Sequence, residues 1–246
     1  MPLPKISAPI FELTLPSTSK PVKYRPFLVK EQKILMLAME TDEKNSIVTA
    51  IKQIINNCAI DPVEVDKLPT FDLEYFFTRL RAKSIGERVE LRMRHPNSTN
   101  AKGVTCNHET KVAFDLMKLE VSKKDNHTDK IILDDETGIG VKMKYPTMDL
   151  NLDADDQKMT QLDLATVAMI SSIEFIFDND NVYNREDYTQ AELKEFIDNL
   201  SQSQFEKMAL FFDTMPKLKH DIEWTCQECG ENEKVTLEGM SSFFVF

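Results

Sequence analysis

Two cysteines in the last part of the sequence restrict its fold more than any other feature. Cys226 and Cys229 are separated by two residues, and Gly230 follows directly. A glycine at this position permits the left-handed backbone that lets amide groups point at the sulfur atoms. Structural zinc ions take four ligands in a tetrahedron, and a pair of ligands on a tight turn supplies half of such a site. The stretch therefore predicts one half of a structural zinc site.

The other half has a candidate about 120 residues earlier in the sequence. Cys106 and His108 stand one residue apart in a polar stretch, a spacing shorter than that of the usual ligand pair. His95 begins the same stretch and is an alternative to His108. The predicted ligands are Cys106, Cys226, Cys229 and one of these histidines. Such an ion would hold the last strand pair against the middle of the chain. Structural zinc in small peptides contributes an apparent binding free energy of roughly 10–16 kcal/mol to folding.

Three other interpretations of the cysteines stay open. Cys226 and Cys229 could be reduced thiols in a turn, with Cys106 unrelated to them. A redox-active pair normally opens a helix after a strand, whereas this pair lies between two predicted strands. A catalytic zinc ion needs an open position and a nearby general base, and a thiolate-rich set suits a closed site better. Cys58 ends an apolar helical stripe and is expected to be a small buried hydrophobic residue.

Apolar alternation and helical stripes together predict the α+β class. Residues 1–148 are predicted to mix strands and helices, with an antiparallel hairpin and its long polar loop at 87–117. Residues 149–246 are predicted to be helical, followed by a zinc-ribbon-like strand pair around the cysteine turn that packs back on the hairpin. The acidic stretch 149–157 is the expected boundary between these two regions.

Local signals predict individual helices in both regions. Thr70 is a candidate N-cap for a helix whose aromatic stripe is typical of a core. The stretch 160–177 is apolar nearly all round, which predicts a buried helix. Two further helices are predicted from capping-box spacing, which Thr189 shows with Glu192 and Ser201 shows with Gln204.

Net charge and hydropathy limit the surroundings in which the chain can act. The net charge of −11 disfavours nucleic acid as a partner, because such a field repels phosphate backbones on average. No apolar run approaches the roughly 20 residues that a membrane span needs. The first residues lack a basic segment followed by an apolar core, so we expect no secretory signal and a cytoplasmic protein.

No pattern in the sequence predicts an active site. The acidic stretches 149–160 and 178–189 begin like calcium loops, but they lack the glycine at the sixth position and the glutamate at the twelfth that such loops require. The motifs GxGxxG, HExxH and GxSxG are absent from the sequence. His127 and His220 have no partner that the sequence places beside them. We therefore expect a protein that is not an enzyme.

Several stretches resemble the baseplate hub assembly proteins of T-even-like contractile-tailed bacteriophages, and the resemblance runs nearly end to end. Its most specific parts are the opening third and the cysteine-containing end. The stretches that carry it are "MPLPKISAPIFELTLPST", "VKYRPFLVKEQKILMLAME", "IKQIINNC", "LPTFDLEYFFTRLRAKSIGE" and "FIDNLSQSQFEKMALFFDTMPKL" with the following "CQECGENEKVTLEGMSSFF".

The resemblance implies a non-enzymatic, chaperone-like assembly factor for the central hub of a phage tail baseplate. Its partners would be the hub subunits, and it would act in the cytoplasm of the host cell. One alternative is a minor structural subunit of the hub, which would be found in the tail baseplate of the virion. A second alternative, from the cysteines, is a zinc-ribbon module that binds nucleic acid, and a third is a metal-dependent hydrolase.

The stretch 243–246 is a candidate contact for such a partner. Phe243, Phe244 and Phe246 belong to a run of four apolar residues, which is either buried in the core or offered to another protein. If the run is exposed, its deletion is expected to abolish partner binding without unfolding the chain.

Overall fold

The chain forms two compact units in a computed structural model that describes residues 7–41, 44–94, 106, 108–148 and 161–239. The discontinuous unit comprises Met1–Ser122 together with Lys217–Phe246, and the inserted unit comprises Lys123–Pro216. Neither edge of the inserted unit coincides with the expected boundary near residue 149, which itself lies outside the described residues. The division into 1–148 and 149–246 therefore stays a prediction.

Strands and helices alternate irregularly along the chain, as expected for the α+β class. In chain order the elements are β1 (Phe11–Thr14), β2 (Pro21–Tyr24), α1 (Val29–Glu40), α2 (Lys44–Cys58), α3 (Thr70–Ser84), β3 (Arg88–Arg94), β4 (Glu109–Asp115), β5 (Glu120–Ser122), β6 (Lys130–Ile132), β7 (Gly140–Met143), α4 (Gln161–Ser172), β8 (Ile173–Phe177), β9 (Val182–Asn184), α5 (Gln190–Asp198), α6 (Gln202–Thr214), β10 (Lys217–Thr225) and β11 (Asn232–Glu238). Within the described residues, no helix combines the length and the hydropathy needed to cross a membrane.

Helices α2 and α3 of the discontinuous unit pack against each other and supply many of its buried apolar residues. Ile51, Ile54 and Ile55 are almost completely buried, because side chains three and four positions apart share one face of a helix. Phe76 of α3 is equally buried, and the ring of Tyr24 from β2 packs edge-on against it with centroids 5.6 Å apart. Burial of each such side chain contributes about 1.5–3 kcal/mol to folding.

The start of α3 lies one residue before the predicted position. The prediction that Thr70 is the N-cap is wrong, because Pro69 occupies that position and no side chain caps the helix. The carbonyl oxygen of Pro69 accepts hydrogen bonds from the amides of Asp72 and Leu73, at 3.0 and 3.1 Å. Proline suits this place because its ring restricts φ and the N-cap amide is not needed within the helix.

Two sets of antiparallel strands complete the discontinuous unit. β3 pairs with β4 over their whole lengths, within the range 87–117 that the sequence pattern marks as a hairpin. β10 pairs with β11 around the cysteine turn, and β5 joins the other edge of β10. The ring of Phe114 on β4 lies 4.9 Å from that of His220 on β10, so the β3–β4 hairpin and the three-stranded sheet are in contact.

The inserted unit consists of a four-stranded antiparallel sheet, in the order β6-β7-β8-β9, and helices α4, α5 and α6. Its core joins the sheet to all three helices. The buried members of this core are Ile131, Leu133, Val141, Met143, Met169, Ile170, Ile173, Leu193, Ile197, Met208 and Phe211. The core is therefore apolar and is made within one continuous stretch of chain.

The prediction of a single helix over 160–177 is wrong for its last five residues. α4 ends at Ser172, and the next residues, Ile173–Phe177, form strand β8 between β7 and β9. A short apolar run is compatible with either a buried helix or a buried strand. Here the β-branched and aromatic residues pair with β7 and β9. The neighbouring strands therefore decide that this run is a strand. The second region of the chain is accordingly mixed rather than helical.

Both predicted capping boxes are present in the inserted unit. The amide of Thr189 donates to Glu192 Oε2 at 2.8 Å, and the amide of Glu192 donates to Thr189 Oγ1 at 3.3 Å. Ser201 and Gln204 make the same reciprocal pair at the start of α6. These bonds satisfy amides that the first turn of a helix leaves without partners.

Candidate metal centre

Cys226 and Cys229 lie in the turn between β10 and β11, which two backbone hydrogen bonds close. The amide of Cys226 donates to the carbonyl oxygen of Glu231 at 2.9 Å, and the amide of Gly230 donates to the carbonyl oxygen of Cys226 at 3.0 Å. Gly230 has a φ of 76°, a left-handed value that a residue with a side chain rarely adopts. The backbone of the turn is thus held by its own hydrogen bonds.

Cys106 lies beside this turn although it is 120 residues away in sequence from Cys226. Its sulfur is 3.7 Å from that of Cys226, and the sulfurs of Cys106, Cys226 and Cys229 all lie within 4.8 Å of one another. Cys106 and Cys226 are buried, and Cys229 is half-buried. The structure therefore brings together the three cysteines predicted to act as ligands.

A contact that the sequence does not signal helps to hold the cysteines together. The amide of Gln227, in the turn, donates to Oγ1 of Thr110 on β4 at 3.4 Å. Thr110 is buried and lies four residues after Cys106. A threonine in a strand has no distinctive pattern, so only the folded structure identifies it as a support for the cluster.

The protonation of the cluster depends on its surroundings. A backbone hydrogen bond at Glu231 lowers the pKa of the Cys229 thiol, but desolvation and the neighbouring thiols of Cys226 and Cys106 outweigh it and raise that pKa to about 11. Three adjacent thiolates repel one another unless a cation lies among them. The cluster can therefore exist as thiols or as thiolates bound to a metal ion, and metal binding releases protons.

Of the two histidines predicted as alternative fourth ligands, only His108 lies among the described residues. His108 is exposed, and its ring nitrogens are not part of the group formed by the three sulfurs. His95 lies outside the described residues, as do the predicted partner-binding residues Phe243, Phe244 and Phe246. Among the described residues, the three cysteines are the one group of this kind close enough to share a metal ion.

A second polar cluster, in the inserted unit, centres on His127. Its Nδ1 lies 3.0 Å from Thr214 Oγ1 and its Nε2 lies 3.1 Å from the hydroxyl of Tyr145. Since Thr214 Oγ1 itself donates to the carbonyl oxygen of Leu210, Nδ1 donates to Thr214, and in a neutral imidazole Nε2 then accepts from the hydroxyl of Tyr145. Burial lowers the pKa of His127, which favours this neutral tautomer. The partners are 18 and 87 residues away, so no sequence pattern could identify them.

A cleft of about 370 Å³ in the inserted unit is mainly apolar. Asp178 and Glu192 are among its lining residues, but both carboxylates already accept hydrogen bonds. Asp178 accepts from the hydroxyl of Tyr183 at 2.7 Å, and Glu192 belongs to the capping box of α5. Both carboxylates therefore serve as acceptors in local hydrogen bonds. A catalytic general base is instead held within reach of a nucleophile.

Comparison with known proteins matches the chain to a protein family. A family model described as "T4 bacteriophage base plate protein" matches residues 8–245. No curated protein and no solved structure matches the chain. The matched range includes the whole inserted unit, nearly all of the discontinuous unit and all three clustered cysteines.

Proposed function

The chain belongs to the family of T4 bacteriophage base plate proteins, and from this membership we propose that it is a non-enzymatic assembly factor for the central hub of the tail baseplate. The observation that carries the proposal is the match over residues 8–245, which spans nearly the whole sequence. The family is one of baseplate proteins rather than a class of enzymes. In agreement with this, the side chains of His127, Asp178 and Glu192 make hydrogen bonds within the chain.

The chemistry of the surface supports a protein partner rather than nucleic acid. The chain carries a net charge of −11, and the cysteine turn adds Glu228, Glu231 and Glu233 within a few residues of the sulfurs. Nucleic-acid-binding surfaces present lysine and arginine to phosphate groups. A zinc-ribbon module for nucleic acid is accordingly a weaker interpretation of the same cysteines.

A minor structural subunit of the hub is the second candidate, since family membership favours it equally. The two functions differ in where the protein is after assembly. An assembly factor binds hub subunits in the cytoplasm of the infected cell and leaves, whereas a structural subunit stays in the tail baseplate of the virion. The location of the protein thus separates the two candidates.

Quantitative mass spectrometry of infected-cell extracts and of purified virions tests the proposal. We expect the protein to co-purify with hub subunits from the extract and to be absent from virions. A constant number of copies in each virion would identify a structural subunit instead. Purification from the extract without any hub subunit would contradict both functions.

The stretch 243–246 is our proposed contact with the hub subunits. Deletion of these residues is expected to abolish co-purification while the circular dichroism spectrum of the chain stays unchanged. A matched control is the pair of substitutions Ser241→Ala and Ser242→Ala, which precede the apolar run and should leave binding intact. A truncated chain that fails to fold would show that the phenylalanines belong to the core.

A further inference from the structure

We propose that Cys106, Cys226 and Cys229 bind one zinc ion as thiolates, with His108 as the fourth ligand. The ion joins the two chain segments of the discontinuous unit, because Cys106 lies in the first segment and the other two cysteines lie in the second. This structural site is independent of the proposed function, since an assembly factor and a structural subunit could both contain it.

The spacing of the sulfur atoms fits tetrahedral coordination. Zinc–sulfur bonds of about 2.3 Å at tetrahedral angles place two sulfurs about 3.8 Å apart. The sulfurs of Cys106 and Cys226 are 3.7 Å apart, and all three lie within 4.8 Å of one another. A small movement of the half-buried Cys229 completes the triangle that one ion needs.

The polypeptide itself holds this arrangement. The hydrogen bonds of the turn fix Cys226 and Gly230, and the bond from Gln227 to Thr110 ties the turn to β4 close to Cys106. Since these contacts do not involve the sulfurs, they bring the three cysteines together before any ion binds. A site formed in this way requires little rearrangement on binding.

His108 is the proposed fourth ligand, although its ring nitrogens lie outside the group of the three sulfurs in this structure. It stands two residues from Cys106 and two residues from Thr110, and two consecutive residues of a chain span at most about 7 Å. Its side chain is exposed, so the imidazole is free to rotate toward the sulfurs. Imidazole with three thiolates is one of the common ligand sets of structural zinc.

The surroundings favour a cation and a structural role. Glu228 and Glu231 are exposed acidic residues next to the ligands in the turn, and a local negative charge raises the concentration of cations. Cys106 and Cys226 are buried, while Cys229 is partly open to solvent and provides the entry path. Four protein ligands leave no open position for a substrate, which is typical of structural zinc.

The ion acts as a cross-link across a long stretch of sequence. Linking Cys106 to Cys226 closes a loop that contains the whole inserted unit, residues 123–216. Cross-links that close long loops remove more entropy from the unfolded chain than cross-links that close short ones. The zinc ion thereby stabilises the pairing of β10 and β11 with the rest of the discontinuous unit.

Native mass spectrometry of the full chain, purified under reducing conditions without chelator, is the first test. We expect one zinc ion per chain, and after removal of zinc we expect stoichiometric cobalt(II) to give the thiolate charge-transfer and tetrahedral d–d absorption bands. Trp224 is the single tryptophan and lies buried two residues before Cys226. Its fluorescence should move to longer wavelength when zinc is removed and return when zinc is added.

Variants identify the ligands. Cys229→Ser replaces the least buried cysteine, and it should lower zinc affinity by more than the 10–100-fold that loss of a residue hydrogen-bonded to a metal ligand costs. His108→Ala should weaken zinc binding and alter the d–d bands while the thiolate bands stay. Cys58→Ala is the matched control, because Cys58 is buried at the end of α2 and is not in the cluster; it should leave zinc content unchanged.

Three results would overturn the proposal. A reduced chain that retains no zinc and gives no cobalt bands at stoichiometric metal has no such site. A metal-free chain lighter by two hydrogens would contain a disulfide in place of the ion. Cobalt bands that are unchanged in His108→Ala would exclude His108 as a ligand. Wild-type protein suffices for the first two results, so they do not depend on whether any variant folds.

Discussion

The inserted unit is made from one continuous stretch, residues 123–216, whereas the discontinuous unit joins two stretches that are separated by that insertion. The inserted unit has an apolar core, capped helices and the hydrogen bonds of His127 to Tyr145 and Thr214, all made within that stretch. The discontinuous unit also has an apolar core, but a polar hydrogen bond and the cysteine cluster also connect its two chain segments, 1–122 and 217–246. The amide of Gln227 donates to Thr110 Oγ1, and the sulfur of Cys106 lies 3.7 Å from that of Cys226.

This difference indicates which interactions assemble each unit. In a continuous stretch, neighbouring elements meet at a low entropic cost of loop closure, and apolar burial is sufficient to assemble them. Segments that meet across a long insertion require contacts that also fix which residues are paired. Directional hydrogen bonds and metal ligands can do this, because a buried polar group that misses its partner is strongly unfavourable.

Removal of the proposed zinc ion should produce the largest difference in stability between the two units. We expect the chelated protein to lose about 5 kcal/mol of stability in the discontinuous unit, since structural zinc sites contribute roughly 10–16 kcal/mol in small peptides. Hydrogen exchange measured by mass spectrometry should show faster exchange in β10 and β11 and unchanged exchange in α5 and α6. Equal acceleration in both units would remove the proposed distinction between them.

Phe211→Ala should destabilise the inserted unit and leave the discontinuous unit unchanged. Phe211 is buried in the core of the inserted unit, and its ring centroid lies 5.2 Å from that of His127 and 5.7 Å from that of Tyr145. Truncation of such an aromatic residue costs about 3–5 kcal/mol. Leu210→Ala on the same helix is the control, because Leu210 is 50% exposed and should change the free energy of unfolding little. Hydrogen exchange in α2 and α3 should stay unchanged in both variants.

Glu31→Gln should weaken the discontinuous unit by a smaller amount. Glu31 is fully buried and accepts hydrogen bonds from Arg25 at 2.9 Å and from the amide of Leu28 at 2.8 Å. Loss of the charge should cost about 1–3 kcal/mol, measured by chemical denaturation. Gln32→Ala, at the exposed neighbouring position, is the control. A neutral effect of Glu31→Gln would show that apolar packing alone positions α1.

The pH dependence of Glu31 follows from its shifted pKa. Burial raises the pKa of this carboxyl, but the hydrogen bonds from Arg25 and Leu28 outweigh it and lower the pKa below its ordinary value of 4.5. The contribution of Glu31 is therefore present above pH 4.5 and is lost as the pH falls through the folded-state pKa. The stability difference between wild type and Glu31→Gln should shrink over that acidic range.

Asp72→Asn should show the smallest effect and the opposite dependence on pH. Burial raises the pKa of Asp72 above its ordinary value of 3.8, although hydrogen bonds from Ser17 oppose the shift. The wild-type protein therefore loses stability as the pH rises from 3.8 through the folded-state pKa. Relative to wild type, Asp72→Asn should be more stable at pH 7 than at pH 3.5, by about 1 kcal/mol or less. A difference that does not vary with pH would show that Asp72 keeps its ordinary pKa in the folded protein.

Much of the local structure could be predicted from the sequence. The capping boxes at Thr189 and Ser201 depend on residues three positions apart, and the cysteine turn depends on Gly230 and its immediate neighbours. Strand alternation marks both arms of the β3–β4 hairpin. Family membership follows from the whole sequence, because the match extends over residues 8–245.

Other features were decided only by the tertiary structure. The run at Ile173–Phe177 is a strand because β7 and β9 lie on either side of it, and nothing within the run distinguishes it from the end of a helix. His127 is held by partners 18 and 87 residues away. The sequence by itself determined the turn that presents Cys226 and Cys229, since its bonds are local. Only the tertiary structure placed Cys106 beside them, because contacts between distant segments depend on packing and leave no periodic pattern along the chain.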